Sequence, residues 1–127
     1  MNLRALLILG LLAGCDSKSG RIYVLADGEK RAAEHPDTFD IPPREKRTNC
    51  KFGDLVKLIL EVPPGAPPRS STGERMWFKV RQVKAGPRYV GALDNVPAVF
   101  TELMLGDLIE FGPENIIQIW EDKKDGK

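Results

Sequence analysis

Residues 52–62 read Phe52-Gly53-Asp54-Leu55-Val56-Lys57-Leu58-Ile59-Leu60-Glu61-Val62, and the parsing of that stretch decides the fold. Gly53-Asp54 is turn chemistry: glycine takes a bend that other residues resist, and an aspartate carboxylate bonds back to nearby backbone. Beyond it Val56, Leu58, Leu60 and Val62 fall on one face, with Lys57 and Glu61 on the other. That is the period of a half-buried strand. The pattern returns as Leu105-Gly106-Asp107-Leu108-Ile109-Glu110-Phe111, which matches Phe52 to Leu58 position by position in character. In both copies the residues three and five after the glycine are apolar with a charge between them. A shared requirement for a tight bend feeding a half-buried strand is a simpler account than ancestral repetition.

Outward from that core the signals remain β. Pro63 to Thr72 holds four prolines and a glycine and reads as a long exposed loop. Met76 to Val83 is the next strand, with Met76, Phe78 and Val80 on one side. Lys84-Ala85-Gly86-Pro87-Arg88 supplies a turn, and Tyr89 to Leu93 returns as the hairpin partner. Asp94-Asn95 breaks that strand and Pro97 keeps it from resuming. Gly112-Pro113 ends the strand after the second Gly-Asp turn, and Asn115 to Trp120 is expected to form the last one, before a frayed, mixed-charge end at 121–127. On the N-terminal side Ile22 to Leu25 is a brief β-prone run. Asp27 is placed to cap a short helix over Glu29 to Glu34, which Pro36 stops at His35. The expected class is α+β, mainly β: a small curved antiparallel sheet, or SH3-like partly open barrel, of four to five strands with one short N-terminal helix.

The first fifteen residues carry an address. Met1 to Arg4 is a short basic start, Ala5 to Leu12 an apolar run, and Leu12-Ala13-Gly14-Cys15 places small residues before a cysteine. This is a secretory signal, and the run is too short for the roughly 20 residues of a membrane span. Leu-Ala-Gly-Cys resembles the lipobox of bacterial lipoproteins, whose cysteine receives a diacylglycerol and becomes the N-terminus. The chain then divides into a signal peptide at 1–14, a lipidated Cys15 with a polar tether through 21, one domain at 22–120, and the tail. Asp16 follows the cysteine. In enteric lipoproteins an aspartate there retains the protein in the inner membrane, so the resemblance implies the periplasmic face of that membrane.

Composition excludes several classes. Nineteen bases stand against eighteen acids, and this balance argues against nucleic acid or an anionic membrane as the main partner. With Cys15 acylated, Cys50 has no disulfide partner and is expected to be buried. One histidine, His35, and one thiol make a zinc site uncommon, and no cofactor is expected. A Cys50–His35 nucleophilic pair would need hydrogen-bond contact that nothing in the spacing requires. Asp54 and Asp107 are explained by their turns. The Gly-Pro and Gly-Asp turns have neither phosphate-loop nor dinucleotide spacing.

One surface stands out. If Met76, Phe78 and Val80 face the core, Trp77, Lys79 and Arg81 lie on the opposite face, with neighbours from Tyr89 to Leu93. Trp77, Arg81, Tyr89, Asp94 and Asn95 are the candidate partner-binding residues, because Trp, Tyr and Arg dominate binding hot spots. The competing account is that the helix or the Pro-rich loop covers Trp77 and makes a second small core.

Glu74 to Val80, Tyr89 to Pro97, Leu105 to Asp107 and Phe111 to Ile116 form an ordered series. It resembles domain of unknown function family 2314, a bacterial family of small proteins. That family has a Trp-bearing strand, a Gly-x-Leu-x-Asn-x-Pro hairpin, a Gly-Asp turn and a closing Ile strand. The likeness covers the second half of the chain and, more loosely, His35 to Leu60. Phe78 and the Glu121 region depart from the family's Trp-Val and Asp-Trp pairings. The resemblance implies a fold, no activity, and a setting in the cell envelope. The expected function is a non-enzymatic envelope lipoprotein that binds a protein or wall component, with protection against a toxin or hydrolase as a variant. The alternatives are a thiol-dependent enzyme using Cys50 and a purely structural lipoprotein.

Overall fold

A computed structural model describes residues 22–121. The elements in chain order are β1 (Val24–Leu25), α1 (Gly28–Glu34), α2 (Arg44–Arg47), β2 (Leu55–Glu61), β3 (Gly73–Lys84), β4 (Arg88–Leu93), β5 (Leu108–Phe111), a 3-10 turn (Pro113–Asn115) and β6 (Gln118–Ile119). The strands form one antiparallel sheet in the order β1-β2-β3-β4-β5, with β6 sharing the outer edge of β2 beside β1. The sheet curls into a half-barrel, the small curved sheet that the alternation predicts and a shape compatible with an SH3-like barrel.

The inner face is the core. Val56, Leu58 and Leu60 of β2, Met76, Phe78 and Val80 of β3, and Phe111 of β5 are sealed from solvent, and Leu93 and Ile109 are nearly so. Phe100 and Leu103, from the connection between β4 and β5, cover one side with Tyr23. Both Gly-Asp turns dock in the same way. Gly53 (φ 93°) and Gly106 (φ 89°) take the left-handed conformation that L side chains resist. Asp54 Oδ2 accepts the Lys51 N–H at 2.8 Å, and Asp107 Oδ2 accepts the Met104 N–H at 2.9 Å. Each turn then bonds the neighbouring strand: Gly53 N to Val80 O and Val80 N to Asp54 O, Gly106 N to Leu93 O and Leu93 N to Asp107 O, all at 2.8 Å. The repeat in the sequence is one device used twice to seat a strand beside its neighbour.

Helix α1 starts where Asp27 Oδ1 accepts the Lys30 N–H at 3.0 Å and stops at His35, as expected. It packs on the outer face, where Ala26, Ile59 and Ile117 form a second small cluster with Phe39 and Ile41. Three features differ from the sequence reading, and the exposed Pro63 to Thr72 loop carries a contact that the reading lacks. Helix α2 has only four residues, and its buried Arg47 holds it in place by donating to Pro42 O, Pro113 O and Glu29. The Pro63 to Thr72 loop is pinned: Arg69 grips both Glu102 carboxylate oxygens at 2.8 Å and lies over the Phe100 ring. The final strand shrinks to Gln118–Ile119, because Asn115 accepts the Gly112 N–H and donates to Ala26 O from inside the 3-10 turn. Tyr89, finally, is a core residue, for the reason given below.

Candidate functional site

The outer face of β2 and β3 gathers the notable surface side chains. Lys57 and Trp77 are register partners, as are Leu55 and Lys79. Strand β6 joins alongside, with Trp120 N donating to Leu55 O at 2.9 Å. This sets Trp120 against Trp77 edge to face, with centroids 5.8 Å apart and planes at 82°, a favoured aromatic geometry. The Lys57 ammonium sits 4.9 Å from the centre of the Trp77 ring, within cation–π range. Trp77 is half-buried in this cluster, while Trp120 remains 64 % exposed. The expectation that Trp77 faces away from the core holds. The second core lies at Ile59 instead, where Ala26 and Ile117 pack.

The five candidate residues separate into two groups. Asp94 N donates to Trp77 O at 2.9 Å, and Asn95 Oδ1 accepts the Trp77 N–H, so this turn extends the β3–β4 pairing past Leu93. Arg81 is exposed further along β3. Tyr89 is the correction. The register slips between Val80 and Gln82, leaving Arg81 as the unpaired residue of a β-bulge. Along β4 Tyr89 shares the inward side with Gly91 and Leu93, so it points inward and is sealed from solvent, and the extra residue on β3 only sets Val83 opposite it. Its hydroxyl donates to Arg47 O at 2.7 Å and accepts the Cys50 N–H at 3.2 Å, which makes it a strut between β4 and the end of α2. Trp120 was not legible as a site residue, since in sequence it is only the last residue of a terminal apolar run.

Electrostatics distinguish this face from the rest of the molecule. Arg75, Trp77, Lys79 and Arg81 alternate outward along β3, and Lys57 lies beside them. Among the described residues, ion pairs join Arg31 to Glu61, Arg44 and Arg47 to Glu29, Lys46 to Glu121, Arg69 to Glu102, Lys84 to Glu110, and Arg88 to Glu110 and Glu114. None reaches Lys57, Arg75, Lys79 or Arg81. Six glutamates are paired with other bases, and these four cations have no ion-pair partner among the described residues.

The groups considered for chemistry are placed otherwise. Cys50 is buried, its thiol directed at the carbonyls of Lys46 and Arg47 at 3.7 and 3.9 Å. Burial pushes its pKa up, and the Asp54 charge pushes the same way, so it stays a protonated thiol. His35 is exposed at the C-cap of α1, and no hydrogen bond joins it to Cys50. Among the described residues no group of three or more His, Cys, Asp or Glu side chains is placed to hold a metal ion. No helix among them is long and apolar enough to cross a membrane. Cys15, its tether and the charged end at 122–127 lie outside the described residues. Comparison of the chain with protein-family models, with curated proteins and with solved structures finds no match in any of the three.

Proposed function

We propose that the chain is a non-enzymatic, lipid-anchored binding module of the bacterial envelope that holds a protein or wall component on the outer face of its half-barrel. The observation that carries this reading is the Trp77–Trp120 pair, packed edge to face beside Lys57, on a face whose cations have no ion-pair partner among the described residues. Large rings held rigid beside Lys and Arg are the side chains that dominate binding hot spots. Binding by Trp77, Arg81, Asp94 and Asn95 belongs to this proposal, and Trp120 and Lys57 join them. Lipidation at Cys15 and retention on the periplasmic face of the inner membrane through Asp16 belong to it too, supported by the first sixteen residues. The motifs resembling family 2314 agree with an envelope setting. Shielding a target from a toxin or hydrolase is one task such a module could perform.

The inert placement of Cys50 weighs against a thiol enzyme, and the short tether from Asp16 to Arg21 weighs against a mere spacer. The test is capture from detergent-solubilised envelope by the full chain, beside the Arg81→Ala/Trp120→Ala variant. A component retained by the wild type and lost by the variant is the expected result. Equal capture by both would overturn the assignment of the face.

A further inference from the structure

Four cations on one sheet face, with aromatic rings among them, select a polyanion. Residues two apart on a strand lie about 7 Å from each other, so Arg75, Lys79 and Arg81 spread charge along β3 rather than around one small ion. Lys57 widens the patch on one side, and exposed Leu108 ends the register row Leu55-Lys79-Ala92-Leu108 on the other. Net neutrality of the whole chain does not oppose an anionic occupant, because six glutamates are held in ion pairs with other bases. Asp94, whose backbone N–H bonds Trp77 O, adds an exposed acid at the end of this row.

The tether then decides which polyanion is nearest. Cys15 and the six residues to Arg21 reach at most about 25 Å when fully extended. The chain enters the sheet at Val24, paired with Glu61, and Lys57 lies four residues along the same strand, about 13 Å away. A lipid at Cys15 therefore keeps this face within reach of the bilayer that holds it. Trp rings settle at the headgroup level of membranes, and basic side chains are drawn to anionic lipid. A lipid chain and a basic patch are also the two signals that together hold a peripheral protein on a membrane.

We propose that the Trp77–Trp120 face, with Lys57, Lys79 and Arg81, docks on the anionic phospholipid surface of the membrane that carries the anchor. The inference rests on the lipid-anchor reading and adds regulation of the same site. The bilayer is the face's resting occupant, and a protein or wall ligand must displace it.

Because the chain has two tryptophans, both on this face, their emission reports on it directly. Full-length chain purified from membranes is reconstituted into phosphatidylcholine vesicles with and without phosphatidylglycerol, each carrying a quencher in the headgroup region. Flotation with the neutral vesicles reads the anchor alone. The expected result is tryptophan quenching in anionic vesicles only, abolished by 0.5 M salt (about 0.5 M suffices because the Debye length is then only a few Å). Each charge removed should weaken docking about fivefold, so Lys57→Gln/Lys79→Gln/Arg81→Gln should lose it about 100-fold. These outer-face substitutions do not touch the core, and near-ultraviolet circular dichroism verifies the fold. Equal quenching in the two vesicles, or quenching that the triple variant retains, overturns the proposal and leaves an acidic protein or wall polymer as the occupant. Failure to float with neutral vesicles overturns the anchor reading instead.

Discussion

Tyr89 shows how one residue can be read with the right type and the wrong direction. Placed among the cross-strand neighbours of Trp77, it shares instead the inward side of β4 with Gly91 and Leu93, where its hydroxyl serves both Arg47 O and Cys50 N. Which side of β4 turns inward depends on its register with β3, and no local signal gives that register. Tyr89→Phe removes both bonds, leaving the Cys50 N–H unpaired and Arg47 O with only the Cys50 thiol at 3.9 Å, so it should cost about 1–3 kcal/mol in chemical denaturation. Burial raises the pKa of Tyr89 and of Cys50. The fold favours their neutral forms, so this contribution is complete below the ordinary thiol value and is lost as pH rises through the folded values. Tm should hold from neutrality and fall in the alkaline range, and less steeply in Tyr89→Phe. Trp77, by contrast, was legible, since alternation with Met76 and Phe78 fixes its face. Trp120 was not, because its position depends on β6 returning to β2. Wild-type emission should be red-shifted and open to acrylamide through exposed Trp120, and Trp120→Ala should shift it to the blue as half-buried Trp77 remains.

The elements that were legible are those whose signals are local. Both Gly-Asp turns, the Asp27 cap, the Pro36 stop and the alternating strands need only their neighbours in sequence. Gly53→Ala and Gly106→Ala place a side chain at positive φ in equivalent turns, so each should cost about 1 kcal/mol or more, and by similar amounts. Unequal costs would show that the two turns are not one device. Helix α2 and the 3-10 turn escaped because their local bonds, Arg47 to Pro42 O and Gly112 N to Asn115 Oδ1, are not enough to mark them in sequence. Both depend on bonds to distant residues, Arg47 to Pro113 O and Asn115 to Ala26 O. The Pro63–Thr72 loop is legible as an exposed loop, but its anchor is not, for the same reason. Its Arg69 partner, Glu102, lies 33 residues away. The hydrogen bond from Arg69 holds the Glu102 carboxyl below its usual range. Its contribution is present above the ordinary carboxylate pKa and lost as pH falls through the lowered one. Protection of the loop amides, taken relative to their intrinsic exchange rate, should therefore fall below about pH 4, and Arg69→Ala should remove that loss.

At the scale of the whole molecule, the sheet divides the chain's properties between two faces. The inner face carries the large apolar residues, and the outer face carries α1 at one end and the Trp77–Trp120 cluster with its cations further along. Total charge concealed this division, because a near-neutral sum is compatible with bases and acids on different faces. The half-barrel itself followed from alternation and turns, whereas the identity of a ligand depends on chemistry outside the chain. The claim that this face is where the molecule meets its surroundings is tested most directly by photo-crosslinking in living cells. A diazirine residue in place of Lys79 would be compared with one in place of Thr101, exposed in the connection that covers the core. The account predicts a discrete adduct from position 79, with protein, wall or lipid, and none from position 101. Adducts of equal yield from both positions, or from position 101 alone, would contradict it.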